Sequence, residues 1–207
     1  MNFKALKDAE KKFLSRYPGG FNHPEMIEIG KKHKIDQLAD FAKNSFAKTS
    51  FDDPKLIIED TAKLVSRSTM VSMFEKPKFR DFSRSLNIKE KEKIAEAIFE
   101  LLHGKEKLGF EIILEELKKK KLAKWPLITV VQSYFRPQRE VFVKPTTTKL
   151  IVEKLELDVV YNPTPSWDFY RKYRKIIKEL KEQSNKSLSP NNPALCGFLM
   201  MALGDDL

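Results

Sequence analysis

The sequence predicts a mainly α-helical protein, an irregular bundle of roughly eight helices in a single compact body that allows a two-lobed arrangement. The composition favours this class, because 41% hydrophobic and 11% aromatic residues are ordinary for a globular protein, while only 7 Gly and 33% charged residues favour helices over turns and sheets. Apolar residues recur at helical spacing, and Pro, Asp, Asn or Ser precede many of these runs. No internal repeat of fixed period occurs, so a solenoid is not predicted.

The first 50 residues predict one helix, a turn and a second helical stretch. Phe3, Leu6 and Phe13 mark one face of an amphipathic helix that ends at residues 17–20. Pro24 marks the next start, since proline suits the first helical turn, where its missing N–H costs nothing. The second stretch has a break near Lys34, and its apolar residues are Met26, Ile29, Leu38, Phe41 and Phe46.

Further helices are predicted between residues 52 and 121. Asp53 and Pro54 form another start signal, because aspartate accepts hydrogen bonds from free N–H groups and proline fixes the first helical φ. Residues 79–86 are expected to form a short packed helix or a loop. Asn87 is expected to cap the next helix and Gly104 to end it in the left-handed conformation. One more helix runs into residues 118–121, so about four or five helices are expected in the first 120 residues.

Residues 124–182 combine apolar runs with frequent prolines. Residues 127–135 predict an apolar helix, and residues 141–143 a buried extended connector, because no partner for strand pairing lies nearby. Thr146 or Thr147 is expected to cap a helix, and Ser166 to cap a strongly amphipathic one. The inward face of that last helix carries Phe169, Tyr173, Ile176 and Leu180, and its outward face carries Arg171, Lys175 and Lys178.

Three regions follow from this pattern. They are an N-terminal helical region 1–121, a basic C-terminal helical region 122–182, and residues 183–207, where a polar flexible connector precedes an apolar terminal helix. The apolar run 194–203 is about half of the roughly 20 residues that cross a bilayer, so no membrane span is predicted. This run is either a last core helix or a tail that docks on a protein partner or on a second copy.

Most of the net charge of +10 lies in one part of the chain. Residues 118–182 hold 16 Lys and Arg against 7 Asp and Glu, a net charge of +9, whereas residues 1–117 carry +2. Such a concentration attracts nucleic acid, anionic lipid or an acidic protein, although many basic regions are simply solvated surface. The candidate polyanion-binding residues are Lys118, Lys119, Lys120, Lys121, Lys124, Arg136, Arg139, Lys144, Arg171, Arg174, Lys175 and Lys178.

Nucleic acid is the natural ligand if these cations converge in space. Contacts with several phosphates would make affinity fall steeply with salt. Trp125, Tyr134 and Trp167 could stack on bases if exposed, but their spacing suits core residues better. No helix-turn-helix signature occurs, so sequence-specific recognition is not predicted.

The patterns that carry enzyme or metal chemistry are missing from the sequence. Three widely spaced histidines and one cysteine cannot supply a metal-ligand motif. Cys196 lies among apolar residues and is predicted to be a buried, inert thiol. Glu111, Glu115 and Glu116 are predicted to form a solvated face beside lysines rather than an acid–base pair. No phosphate-binding glycine loop or hydrolase elbow occurs, so no cofactor is predicted.

A block between residues 124 and 174 contains Lys-Trp-Pro at 124–126 and Phe-Val-Lys-Pro-Thr at 142–146, followed by Tyr161, Pro165, Trp167 and Tyr170. This block resembles a widespread family of uncharacterised bacterial proteins, and that resemblance implies no activity. The same segment is loosely similar to the helical C-terminal part of helix-hairpin-helix DNA glycosylases. The glycine-rich hairpin turn and the catalytic Asp of those enzymes are missing, so glycosylase activity is not implied.

Three hypotheses of function follow. The first is a non-enzymatic helical protein that binds nucleic acid or another polyanion through its C-terminal basic surface. The second is a protein–protein interaction or structural module that docks through residues 194–203. An enzyme is the third hypothesis, and it would need a deep pocket that gathers Glu, His and Arg from distant segments. A single cysteine and an N-terminal segment rich in charges favour a cytoplasmic location.

Overall fold

A computed structural model describes residues 1–204. This part of the chain forms eleven α-helices and three short 3-10 helices, without a β-strand. The α-helices are α1 (Phe3–Arg16), α2 (Pro24–His33), α3 (Ile35–Ser45), α4 (Pro54–Arg67), α5 (Glu75–Ser85), α6 (Ile88–His103), α7 (Glu106–Lys119), α8 (Trp125–Phe135), α9 (Pro145–Lys154), α10 (Trp167–Gln183) and α11 (Asn192–Leu203). The mainly α class is thereby confirmed.

The described residues form eleven α-helices, whereas the sequence predicted roughly eight, and the difference lies mainly in the N-terminal part. Seven α-helices, not four or five, lie before residue 120. One reason is Lys34, whose φ of 51° breaks the second helical stretch into α2 and α3, as the sequence indicated. Another is the segment after Phe74, which is the helix α5 and not a loop.

Several predicted helix starts have the expected caps. The Asp53 carboxylate accepts hydrogen bonds from the backbone N–H groups of Lys55 and Leu56 at 3.0 and 3.1 Å. Asn87 and Glu90 form a reciprocal capping box at the start of α6. Ser166 Oγ accepts from the N–H of Phe169 at 3.4 Å. These side chains fix where α4, α6 and α10 begin.

Two predicted helix boundaries are wrong, the end of α6 and the start of α9. Gly104 ends α6 with φ −130° and ψ −125°, outside the left-handed region, and the chain passes through Lys105 directly into α7. The Glu100 carboxylate accepts the N–H of Lys105 across this turn. Neither Thr146 nor Thr147 caps α9, since Pro145 is already the first helical residue.

One hydrophobic core contains buried residues from every one of these helices, which makes the chain a single compact body. Its largest fully buried side chains include Trp125, Tyr134, Tyr170, Phe13, Phe110 and Phe198. Residues 141–143 are buried and belong to neither a helix nor a strand, and the N–H of Val143 donates to Thr129 Oγ1 at 3.1 Å. The predicted buried connector is therefore confirmed.

The chain segment between α10 and α11 packs against the rest of the molecule. It contains the 3-10 helix Lys186–Leu188, and the Leu188 side chain is fully buried. The side-chain oxygen of Asn185 accepts the N–H of Ser187 at 2.9 Å. This anchoring positions α11 against α1 and α9. Of the helices described, none has the combined length and apolar character to cross a bilayer.

Candidate functional site

The structure separates the predicted basic residues into groups instead of gathering them on one surface. Three arginines form a partly buried cluster with carboxylates, α10 carries a second group on its outer face, and a lysine-rich group surrounds the end of α7. Lys144 stands apart from these groups, exposed at the start of α9. Each group has a different capacity to bind an anion.

The arginine–glutamate cluster consists of Glu106, Arg136, Arg139, Glu140 and Arg174. Glu140 is 1% exposed and accepts hydrogen bonds from Arg174 Nη1 at 2.7 Å and from the hydroxyl of Tyr170 at 2.8 Å. Arg174 Nη2 donates to Glu106 at 3.0 Å, and Arg139 pairs with both carboxylates. Burial raises the pKa of Tyr170 well above its ordinary value, and the Glu140 carboxylate raises it further. The guanidinium groups are thus occupied by partners inside the protein.

A surface cleft of about 430 Å³ borders this cluster. Asp36, Asp40 and Lys43 of α3 line one side, and Arg136 and Arg139 line the other. Its charges balance closely, because the two arginines already face glutamates within the cluster. The cleft therefore offers no excess of positive charge for a polyanion.

The basic face of α10 is exposed but distant from the lysine-rich end of α7. Helix α10 runs antiparallel to α7, since Tyr170 stacks on Phe110 with 5.5 Å between ring centroids and Arg174 reaches Glu106 one turn away. Residues 175–178 therefore lie toward the N-terminal end of α7, and residues 118–121 lie at its other end. Lys175 and Lys178 also face Glu179 and Glu182 at 3.9 and 3.8 Å.

The lysine surface is defined by the lysines at the end of α7 and at the starts of the two helices that share a cavity with it, α5 and α8: Lys76, Lys78, Lys118, Lys119, Lys120, Lys121 and Lys124. All of these except Lys76 are exposed, and Lys76 is half-buried. Phe79 of α5, Leu117 of α7 and Leu127 of α8 line one internal cavity of about 30 Å³, so the three lysine-bearing segments meet there. Glu75, Glu115 and Glu116 are the carboxylates nearest in sequence, which leaves a net charge of +4.

Glu116 differs from its predicted role. The sequence placed it on a solvated face, whereas the structure buries it and pairs it with Lys93 at 2.7 Å and Lys119 at 2.7 Å. Burial raises the pKa of Glu116, but the two lysines outweigh this effect and leave the pKa below its ordinary value. Glu111 and Glu115 lie on the surface beside Lys107 and Lys118, as expected.

The aromatic residues considered for base stacking belong to the interior. Trp125 is 1% exposed, and its Nε1 donates to the Asn162 carbonyl at 2.7 Å. Tyr134 is fully buried, and its hydroxyl lies 3.0 Å from Ser68 Oγ. Trp167 is half-buried against Phe110, with 5.5 Å between ring centroids. These three rings are packing elements and do not offer bases a stacking platform.

The apolar run near the C-terminus is a core helix rather than an exposed tail. Leu195, Phe198 and Leu199 of α11 are fully buried. Phe198 packs edge-on against Phe13 of α1, with 5.3 Å between ring centroids. Burial also raises the pKa of the Cys196 thiol to about 12, which keeps it protonated and unreactive at neutral pH. The apolar face formed by Leu195, Phe198 and Leu199 is covered by the chain itself.

Metal ligands do not converge within residues 1–204, where no group of three His, Cys, Asp or Glu side chains could hold an ion. Among protein families, curated proteins and solved structures, nothing matches the chain. The candidate site is therefore defined by its own geometry, as the lysine surface. Sequence reasoning found five of its seven lysines from the charge run, but missed Lys76 and Lys78, which only the packing of α5 brings to this place.

Proposed function

We propose that the chain binds a polyanion, with nucleic acid as the first candidate, through the lysine surface and without sequence preference. The supporting observation is the exposed lysine run where α7 ends, joined by the lysines of α5 and by Lys124. The lysine surface has a net charge of +4, so its ammonium groups repel one another. A bound row of phosphates reduces that repulsion, and the phosphates release their condensed counterions. The proposed binding surface is therefore smaller than the basic C-terminal region predicted from the sequence and is confined to one end of α7.

The backbone at Lys121 adds a second argument. Lys121 has φ 58°, in the left-handed region that glycine usually occupies after a helix. The N–H of Leu122 donates to the Leu117 carbonyl at 2.8 Å and the N–H of Lys121 to the Lys118 carbonyl at 3.0 Å, the Schellman arrangement. A lysine costs about 1 kcal/mol more than glycine in this conformation. The positive charge of Lys121 is a reason for the protein to have lysine here, although glycine would make the turn more stable.

Removing the lysine run is expected to abolish most of the binding. Changing Lys118, Lys119, Lys120 and Lys121 to Gln should weaken affinity for labelled DNA and RNA about tenfold or more at moderate salt. The slope of log affinity against log salt should fall by up to about 3 or 4, because four phosphate contacts are lost. Fluorescence anisotropy over a series of salt concentrations measures both quantities.

A matched variant locates the effect. Changing Arg171, Lys172, Lys175 and Lys178 of α10 to Gln removes the same charge from another face and should leave most of the binding intact. Equal losses in the two variants would show that net charge alone attracts the polyanion. Absence of DNA and RNA binding by the unchanged chain at low salt would exclude nucleic acid as the ligand of this surface.

Lys121→Gly is expected to separate stability from binding. Glycine relieves the left-handed backbone, so the free energy of unfolding should rise by about 0.5–1 kcal/mol, while polyanion affinity falls. Lys34→Gly is the control, since Lys34 has φ 51° at the α2–α3 junction, away from the lysine surface. It should stabilise the chain similarly without changing affinity. Urea denaturation and anisotropy give the two readouts, and unchanged affinity in Lys121→Gly would remove Lys121 from the site.

A further inference from the structure

Two consecutive large apolar side chains project into solvent beside the lysine surface. Met73 is 74% exposed and Phe74 is 75% exposed, at the end of the loop that joins α4 to α5. Single exposed apolar residues are common on protein surfaces, but two adjacent ones with this exposure form a patch that is costly in water. The polyanion proposal alone gives these two side chains no role.

Hydrogen bonds within the loop keep this pair pointing outward. Val71 is buried and anchors the loop to the core. The side-chain oxygen of Ser72 accepts the N–H of Phe74 at 3.2 Å, and the Ser72 carbonyl accepts the N–H of Glu75 at 3.0 Å. The loop tip is therefore a built turn that leads directly into α5, with Met73 and Phe74 at its apex.

Cations lie on the segments that adjoin this pair. Lys76 and Lys78 follow it in the first turn of α5, and the cavity shared by α5, α7 and α8 brings the end of α7 and Lys124 to the same side. Burial raises the pKa of Glu75, while Lys124 and Lys78 act in the opposite direction, so both ammonium groups act on the residue next to Phe74. The other charges of α5 are Arg80 and Asp81, 3.7 Å apart, and the exposed Arg84.

We propose that the polyanion met by the lysine surface is the anionic face of a lipid bilayer, into which Met73 and Phe74 insert. This inference rests on the proposed function and specifies its ligand. The apolar pair would enter the boundary between head groups and acyl chains, while the lysines stay among the anionic head groups. Attachment of this kind is peripheral and reversible, and it needs both the charge and the apolar tip.

Lipid explains the pair better than nucleic acid does. A base can stack on the ring of Phe74, but Met73 has no aromatic face, and Trp125 and Tyr134 lie inside the core. Both Met73 and Phe74 gain from leaving water for an apolar phase, which a bilayer supplies and a phosphate backbone does not. The same lysines serve either polyanion, so the apolar tip is the feature that discriminates between them.

The test is cosedimentation of the full chain with vesicles of phosphatidylcholine alone or mixed with phosphatidylserine. The chain should bind only the mixed vesicles, less tightly as salt increases. Met73→Ser combined with Phe74→Ser should weaken this binding about tenfold or more and leave DNA binding unchanged, while Phe74→Leu should retain vesicle binding. Leu108→Ser is the control, because Leu108 is 44% exposed at the opposite end of α7 and should have no effect. All three replaced side chains are at the surface, and equal thermal unfolding midpoints verify that the variants fold.

The remaining outcomes overturn the inference in distinguishable ways. Unchanged vesicle binding in the double serine variant would exclude insertion of the tip. Binding to DNA but not to mixed vesicles would overturn the membrane inference and leave the proposed function standing, and binding to neither would overturn both. Loss of single-stranded DNA binding in Phe74→Leu, together with unchanged vesicle binding in the double serine variant, would assign the ring to base stacking instead.

Discussion

Replacement of Glu140 by Gln is expected to lower the free energy of unfolding by about 3 kcal/mol, the lower end for loss of one partner of a buried ion pair. The carboxylate is almost completely buried, and it balances Arg174 while accepting the Tyr170 hydroxyl. The amide retains the shape but not the charge, so the arginines of the cluster would share Glu106 alone. Urea denaturation of the two proteins at neutral pH measures the difference.

Two controls define this effect. Glu106→Gln should cost less, because its side chain is more exposed than that of Glu140 and its partner Arg139 reaches solvent. Combining Glu140→Met with Arg174→Met should recover much of the loss, since apolar side chains of similar volume often replace a buried ion pair without penalty. A cost no larger than that of replacing the exposed Glu111 would show that the cluster contributes little to stability.

Gly109→Ala is expected to destabilise the protein by about 3 kcal/mol, since inserted atoms without space force the backbone to shift. Gly109 lies where α7 crosses α6. A Cβ atom there would lie 2.8 Å from Leu101 Cα and closer still to Leu101 N and Ala97 O. These atoms belong to the α6 backbone and cannot rotate away as a flexible side chain would. The two helices would have to separate along their contact.

Gly197→Ala provides the matched control. Gly197 is also inside a helix, α11, but a Cβ at this position would have no heavy atom within 4 Å. Alanine should therefore stabilise the protein by about 0.5–1 kcal/mol, through its better helix propensity. Thermal or urea unfolding of the two variants compares them directly. A destabilising Gly197→Ala, or a neutral Gly109→Ala, would contradict the packing described for α11 or for the α6–α7 crossing.

The lysine surface and the loop tip at Met73 and Phe74 differ in how far the sequence predicted them. The charge run at 118–121 was visible in the sequence, and so was the outer face of α10, because helical spacing alone decides which side chains share a face. The loop tip at Met73 was not recognised, although two large apolar residues between Ser72 and Glu75, outside any helical pattern, were a usable signal. Exposure of such a pair depends on what packs beside it, and helical periodicity carries no information on that.

The ion pairs of charged residues show the same limit of helical periodicity, which does not reveal partners on other segments. Arg174 looked like a free cation, because its partners Glu106 and Glu140 are separated from it by 68 and 34 positions. Arg136 and Arg139 lie close to Glu140 in the sequence, so their pairing with it was a usable signal. Glu116 looked solvated, because the pattern of α7 does not reveal that Lys93 of α6 lies across from it. Ion pairs between helices form only after the chain has brought distant segments together.

The sequence by itself determined the helical class, most helix starts and the location of the charge excess. These properties depend on local physics: capping oxygens, the fixed φ of proline and the helical period of apolar residues act within a few residues of one another. Tertiary structure alone decided that α11 is a core helix, that Trp125 and Tyr134 are buried, and that α5, with Lys76 in its first turn, packs beside the end of α7. Those outcomes depend on which apolar faces meet, and that choice minimises the exposed apolar area of the whole chain rather than of any one segment.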